Sequence, residues 1–140
     1  DGVLVDIFKA CTDKYGKDSV SRIGDLLDED PELFYEAKPM PGAIEAFNKL
    51  VEVYDVYLLT SAPWESLGSV KAKRLWVRKY LGAPAYKRII TSHHKNLMIG
   101  DYLIDDRTAN GAGEFKGELI QFGTEKYLNW DIVLNYLKIN

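Results

Sequence analysis

Two adjacent acids at the end of a short apolar run are the strongest chemical signal in this sequence. Tyr102-Leu103-Ile104 reads as a buried strand, and Asp105-Asp106 would stand where it leaves the sheet. Neighbouring carboxylates repel unless a cation offsets them. A pair of hard oxygen donors suits Mg²⁺, which binds through one or two carboxylates together with substrate phosphate. Three further pieces fall at predicted strand ends. Thr60-Ser61 closes Tyr57-Leu58-Leu59, where hydroxyls and free backbone N–H groups can hold phosphate oxygens, or simply cap the next helix. Lys95 lies just past the run Arg88 to Thr91, where a fixed ammonium would neutralise charge on a phosphoryl group; a solvated lysine is the plain alternative. Asp1, ahead of Gly2-Val3-Leu4-Val5, can protonate a leaving oxygen and later take a proton from water, or merely face solvent. The pair His93-His94 makes no zinc site, because adjacent side chains diverge, no third histidine exists and Cys11 is far away in sequence.

Strand ends carry such residues only if the chain folds as alternating strands and helices. Brief apolar runs, Val3 to Val5, Tyr54 to Thr60, Arg88 to Thr91, Tyr102 to Asp105 and Glu118 to Phe122, alternate with longer segments of helical period. Pro41 opens a helix whose Ile44, Phe47, Leu50 and Val51 share a face, and a second follows Trp64, with Trp76, Val77, Tyr80 and Leu81 inward until Gly82 stops it. Asn129 caps a last helix that buries Trp130, Val133, Leu134 and Leu137. This pattern predicts an α/β, Rossmann-like three-layer sandwich with a mainly parallel sheet. Residues 7–38 depart from it, holding short amphipathic helical pieces and no strand before Pro39-Met40-Pro41-Gly42. They read as a small helical cap over the carboxyl ends of the strands, where open α/β folds bind ligands. With 140 residues the chain is expected to be one domain, its core 1–6 and 39–140 and its cap 7–38.

Composition narrows the partners. Eighteen Lys and Arg against 21 Asp and Glu leave a net charge of -3, with no basic surface for duplex nucleic acid. One cysteine, no leader and no long apolar run predict a soluble protein of the reducing cytoplasm that engages no membrane, and a homo-oligomer is allowed.

Asp1-Gly2-Val3-Leu4 resembles the second half of the first motif of the haloacid dehalogenase superfamily, Asp-x-Asp-Gly-Val-Leu. Together with Leu103-Ile104-Asp105-Asp106-Arg107, Pro39-Met40-Pro41-Gly42-Ala43, Thr60-Ser61 and Trp76-Val77-Arg78-Lys79-Tyr80-Leu81-Gly82, the chain is similar to the 5'(3')-deoxyribonucleotidases. Ser92-His93-His94-Lys95 through Gly123-Thr124-Glu125-Lys126 is particularly similar to their bacterial branch. The resemblance implies an Mg²⁺-dependent phosphomonoester hydrolase that acts on nucleoside monophosphates through an aspartyl-phosphate. It makes Asp1 the acid and base and a backbone ligand of the metal, and gives the metal Asp105 and Asp106. Thr60, Ser61, Lys95 and Lys73 would hold phosphate. It also places the nucleophilic Asp two positions before Asp1, on a central strand upstream of residue 1. Ile7, Phe34 and Tyr35 are the cap positions that could meet a base, with core packing an equal reading of the two aromatics. Two rivals stand beside a nucleotidase: a phosphatase for other small esters, and a non-catalytic nucleotide-binding relative. A dehalogenase would leave the acidic pair unexplained.

Overall fold

Each strand is three or four residues long and pairs in parallel. The computed structural model describes residues 1–140 and runs α1 (Ile7–Tyr15), α2 (Ile23–Glu29), α3 (Leu33–Glu36), α4 (Ala43–Val53), β1 (Leu58–Thr60), α5 (Leu67–Tyr80), β2 (Ile89–Thr91), β3 (Tyr102–Asp105), β4 (Glu118–Gln121) and α6 (Trp130–Tyr136). Strand β1 lies beside β2 with Leu58 opposite Ile89 and Thr60 opposite Thr91. Strand β3 lies beside β4 with Tyr102 opposite Glu118 and Asp105 opposite Gln121. The architecture is the α/β one expected, with every strand pair parallel, but the four strands form two separate ladders. No helix is long and apolar enough to cross a membrane.

The run Val3 to Val5 is no strand. Gly2 takes φ +70°, a left-handed conformation that ends an extended run, and its N–H donates to the Val5 carbonyl at 2.8 Å. The other hydrogen bonds of this stretch lie outside any sheet ladder. Met40 N–H reaches the Leu4 carbonyl, Asp6 N–H reaches the Lys38 carbonyl, both at 2.8 Å, and the Trp130 indole N–H donates to the Val3 carbonyl at 2.9 Å. Only Val5 and Pro39 form an isolated antiparallel bridge. Strand β1 is also shorter than the apolar run suggests, because Tyr54 closes α4 through its N–H to the Leu50 carbonyl.

Three apolar clusters hold these elements. On one side Ala43, Ala46 and Leu50 of α4 meet Trp130, Val133 and Leu134 of α6 over Ile120 of β4. The spacing of three and four residues on each helix makes that single inward face. On the other side Phe47 packs with Trp76, Leu81 and Ala85, flanked by Leu58 and Val56. The third cluster, Ile7, Cys11, Leu26, Leu27, Leu33, Phe34 and Ala37, belongs to the helical segment and closes on Ala72 of α5. The Trp76 indole N–H, donating to the Ala37 carbonyl at 2.9 Å, ties the end of that segment to the same helix.

The outer face of the helical segment is pinned by charge. Asp30 accepts from the Lys14 ammonium and the Tyr15 hydroxyl, each at 2.7 Å, and these two bonds hold its carboxyl below the usual range. A depressed carboxylate adds stability above its unfolded pKa of about 3.9, and the gain is lost as pH falls through the folded value. Asp30→Asn should therefore lower the urea midpoint at pH 7 and lower it less at pH 3, as pH falls below the unfolded value. An equal loss at both pH values would refer the effect to packing instead.

Candidate active site

Lys95 and Asp105 arrive from different strand ends and meet in the interior. Lys95 Nζ lies 2.6 Å from Asp105 Oδ2, with both residues buried, and the Arg107 N–H donates to Asp105 Oδ1 at 3.1 Å. Burial by itself would push the Asp105 carboxyl up. The Lys95 ammonium and the Arg107 N–H outweigh it and hold that carboxyl below the usual range. Strand alternation explains the placement: Leu103 and Asp105 are two residues apart on β3, share a face and are both buried. Lys95 begins a short 3-10 turn, Lys95–Leu97, whose first N–H donates to the Asn110 carbonyl at 2.8 Å. Next to it Gly111 has φ +81°, and a Cβ there would fall 2.3 Å from Asn96 Oδ1. Only glycine lets the loop after β3 clasp the loop that carries Lys95.

A second group forms at the end of β1. Lys73 of α5 donates to Thr60 Oγ1 at 2.7 Å and to Asp1 Oδ2 at 2.9 Å. Burial, then the cations Lys95 and Arg107, push the Lys73 ammonium down to about 8. Ser61 Oγ donates to the Ser92 carbonyl at 2.8 Å, and the Ser92 N–H donates to the Thr60 carbonyl at 2.9 Å. These bonds fasten the Thr60-Ser61 turn to the loop bearing Lys95. A cavity of about 260 Å³ opens beside Thr60 and Lys73 and is also lined by Arg74, Lys87 and Thr91.

Asp1-Gly2 links the two groups. A Cβ on Gly2 would fall 2.2 Å from Asp106 Oδ2, so the backbone there approaches the acidic pair as only glycine can. Gly2→Ala should displace Asp106 and, through the left-handed φ alone, cost about 1–2 kcal/mol of stability. Phosphate release and a melting curve would check both, and a variant equal to wild type in each would show that the contact is slack.

Asp1, Thr60, Lys73, Lys95, Asp105 and Asp106 are thus brought together, with Ser61 bracing the turn beside them. The cap residues behave differently. Ile7 and Phe34 are buried in the cluster of the helical segment, and Phe34 meets this group only as a ring 4.5 Å from Lys73 Nζ. Tyr35 is exposed, with the Lys79 ammonium 5.1 Å from its ring. Sequence reasoning passed over Gly2 and Arg107. Gly2 stood in the open beside Asp1, yet its role needs the position of Asp106, more than a hundred residues on. Arg107 signalled itself only by adjacency to the acidic pair.

The donor set fits a hard divalent cation. No N–H of the protein donates to the Asp106 carboxylate, whose pKa is raised by burial and by neighbouring Asp105. A cation would relieve that repulsion. No group of three or more His, Cys, Asp or Glu side chains that could hold a metal ion is present.

Residues 22–131 match the model of the family described as "5' nucleotidase, deoxy (Pyrimidine), cytosolic type C protein". The chain belongs to this family. Among its nucleotidase relatives, a protein of Vibrio phage KVP40 named "Putative 5'(3')-deoxyribonucleotidase" is 51% identical over 137 residues, covering 98% of this chain and 80% of that one. The human "5'(3')-deoxyribonucleotidase, cytosolic type" is 35% identical over 89 residues, 61% of this chain and 44% of its own length. A Bordetella bronchiseptica relative is 41% identical over 78 residues, 55% of this chain and 42% of its own. The chain thus aligns with less than half of the human and Bordetella proteins.

Proposed function

We propose that this protein is a phosphomonoester hydrolase for (deoxy)ribonucleoside monophosphates that works with Mg²⁺ and through an aspartyl-phosphate. The observation that supports this most is the convergence of five segments separated in sequence. Lys95 Nζ meets Asp105 at 2.6 Å, Lys73 Nζ meets Thr60 and Asp1 at 2.7 and 2.9 Å, and Asp106 lies against Gly2. Three cationic or hydroxyl donors and three acids gathered at neighbouring strand ends are what transfer of a phosphoryl group needs. The names of the relatives support the nucleotidase class of this reading.

In this reading Thr60, Lys73 and Lys95 receive the phosphoryl oxygens, and residues 7–38 cover them as a cap. The attacking carboxylate is the Asp that family resemblance places two positions before Asp1. Its oxygen bonds to phosphorus as the bond from phosphorus to the nucleoside oxygen breaks, and the Asp1 carboxyl gives that oxygen its proton. Water then attacks the aspartyl-phosphate, Asp1 takes a proton from it, and inorganic phosphate leaves with the carboxylate restored. Mg²⁺, held by Asp105, Asp106 and the Asp1 backbone oxygen, would supply the charge that lets an anionic nucleophile approach an anionic ester. A panel of nucleoside monophosphates and sugar phosphates, incubated with the full-length protein, tests the substrate class. Preference for the nucleotides supports the proposal. Equal rates on all esters would make the protein a general phosphatase, and hydrolysis of none would make it a non-catalytic relative.

A further inference from the structure

The cap residues expected to meet a base are engaged elsewhere, Ile7 and Phe34 in an apolar cluster and Tyr35 against Lys79. A different aromatic stands free. Trp64 is 81% exposed, while Trp76 and Trp130, the remaining tryptophans, are 1% and 3% exposed. An indole left in water gains nothing for the fold. Its ring is held edge to face against His93, centroids 6.2 Å apart and planes at 70°.

Both rings are referenced to the phosphate-binding loops. Trp64 follows Thr60 by four residues, so its Cα lies within about 14 Å of that of Thr60. His93 precedes Lys95 by two, which limits their Cα separation to about 7 Å. The two loops are locked to each other by Ser61 Oγ on the Ser92 carbonyl at 2.8 Å and by the Ser92 N–H on the Thr60 carbonyl at 2.9 Å. The far end of the Trp64 loop is fixed against the helical segment: Ser66 Oγ approaches the Leu27 carbonyl at 3.5 Å, and Gly68 lies so close to Pro31 that a Cβ would fall 2.8 Å from its ring. The indole is therefore an exposed flat surface, its Cα within about 14 Å of that of Thr60, on a loop anchored at both ends.

We propose that the Trp64–His93 pair is the shelf on which the substrate's nucleobase stacks, so that this loop, rather than the aromatics of residues 7–38, separates nucleotides from base-free phosphate esters. The proposal rests on the nucleotidase reading above. Stacking on an aromatic face tolerates any base, because every base has a π-face, so the shelf selects for the presence of a base more than for its identity.

The test uses the full-length protein with thymidine 5'-monophosphate and glycerol phosphate as paired substrates. Trp64→Ala should lower the ratio of their kcat/KM values by about tenfold or more, within what one base–aromatic stack contributes. Trp64→Phe should restore most of it, and His93→Ala should lower it less. An unchanged ratio in Trp64→Ala would overturn the proposal. A binding measurement reads the shelf without turnover. Since Trp64 alone is exposed, acrylamide quenching of tryptophan fluorescence reports it selectively, and saturating thymidine 5'-monophosphate should shield it whereas glycerol phosphate should not. If the wild type hydrolyses neither ester, the nucleotidase reading fails, and the quenching still decides the shelf: shielding by the nucleotide alone upholds it, and no shielding removes it.

Discussion

Asp105→Asn should leave the full-length protein almost without phosphomonoesterase activity, a fall on the order of 10³-fold or more, beyond the 10²–10³ of a single lost electrostatic donor. Two functions end together. The carboxylate pair that suits a divalent cation is reduced to Asp106, and the buried Lys95 ammonium loses the partner 2.6 Å away. The amide can still accept the Arg107 N–H, so the strand end keeps its local geometry. What it cannot do is balance the charge. Breaking one side of a buried ion pair costs about 3–5 kcal/mol, because the remaining charge is left without water or partner. Phosphate release and a urea midpoint, measured on the same sample, follow both effects. Turnover equal to wild type would remove Asp105 from the site, and equal stability would show that water reaches Lys95.

Lys95→Met should slow turnover by roughly 10²-fold or more while weakening ground-state binding less, since a fixed cation acts most on charge that develops during transfer. It also leaves Asp105 with the Arg107 N–H as its sole donor, so stability should fall as it does in Asp105→Asn. Combining the two separates fold from chemistry. A buried pair replaced on both sides by uncharged groups is often as stable as the original. The double variant should therefore recover much of the midpoint lost in either single variant and none of the activity. Single losses that simply add would show that Lys95 and Asp105 act independently, against the 2.6 Å contact.

Elements whose signals are local were legible in the sequence. On α6 Trp130, Val133 and Leu134 are buried as their spacing predicts and Leu137 only partly, while on α4 Phe47 and Leu50 are buried as predicted, Ile44 and Val51 only partly, and Ala43 and Ala46 complete the inward face. Asn129 caps α6 as its type suggests, accepting the Ile132 N–H at 3.0 Å. Strand β3 has the predicted bounds, Tyr102–Asp105. Elements whose partners decide them were less legible. Val3 to Val5 has strand composition, yet its backbone bonds to residues 38–40 and to an indole 127 positions away. The division into two ladders cannot be read from apolar runs either, since each run shows propensity and none shows its neighbour. Strand-end residues announce themselves by type, which is why Thr60, Lys95, Asp105 and Asp106 are the candidates the sequence offers. The close approach of Gly2 to Asp106 and the position of Arg107 depend on distances that no spacing encodes. Trp64 was visible only as a marker ahead of α5, because nothing in a sequence distinguishes an exposed indole from a buried one.

The central claim is that these converging residues hydrolyse a nucleotide's phosphate ester with a divalent cation. Its most direct test is release of inorganic phosphate from a deoxynucleoside 5'-monophosphate by the full-length protein, first with Mg²⁺ and then after chelation. Turnover should saturate with Mg²⁺, nearly disappear in excess chelator and return when Mg²⁺ is restored. Full turnover in excess chelator would contradict it.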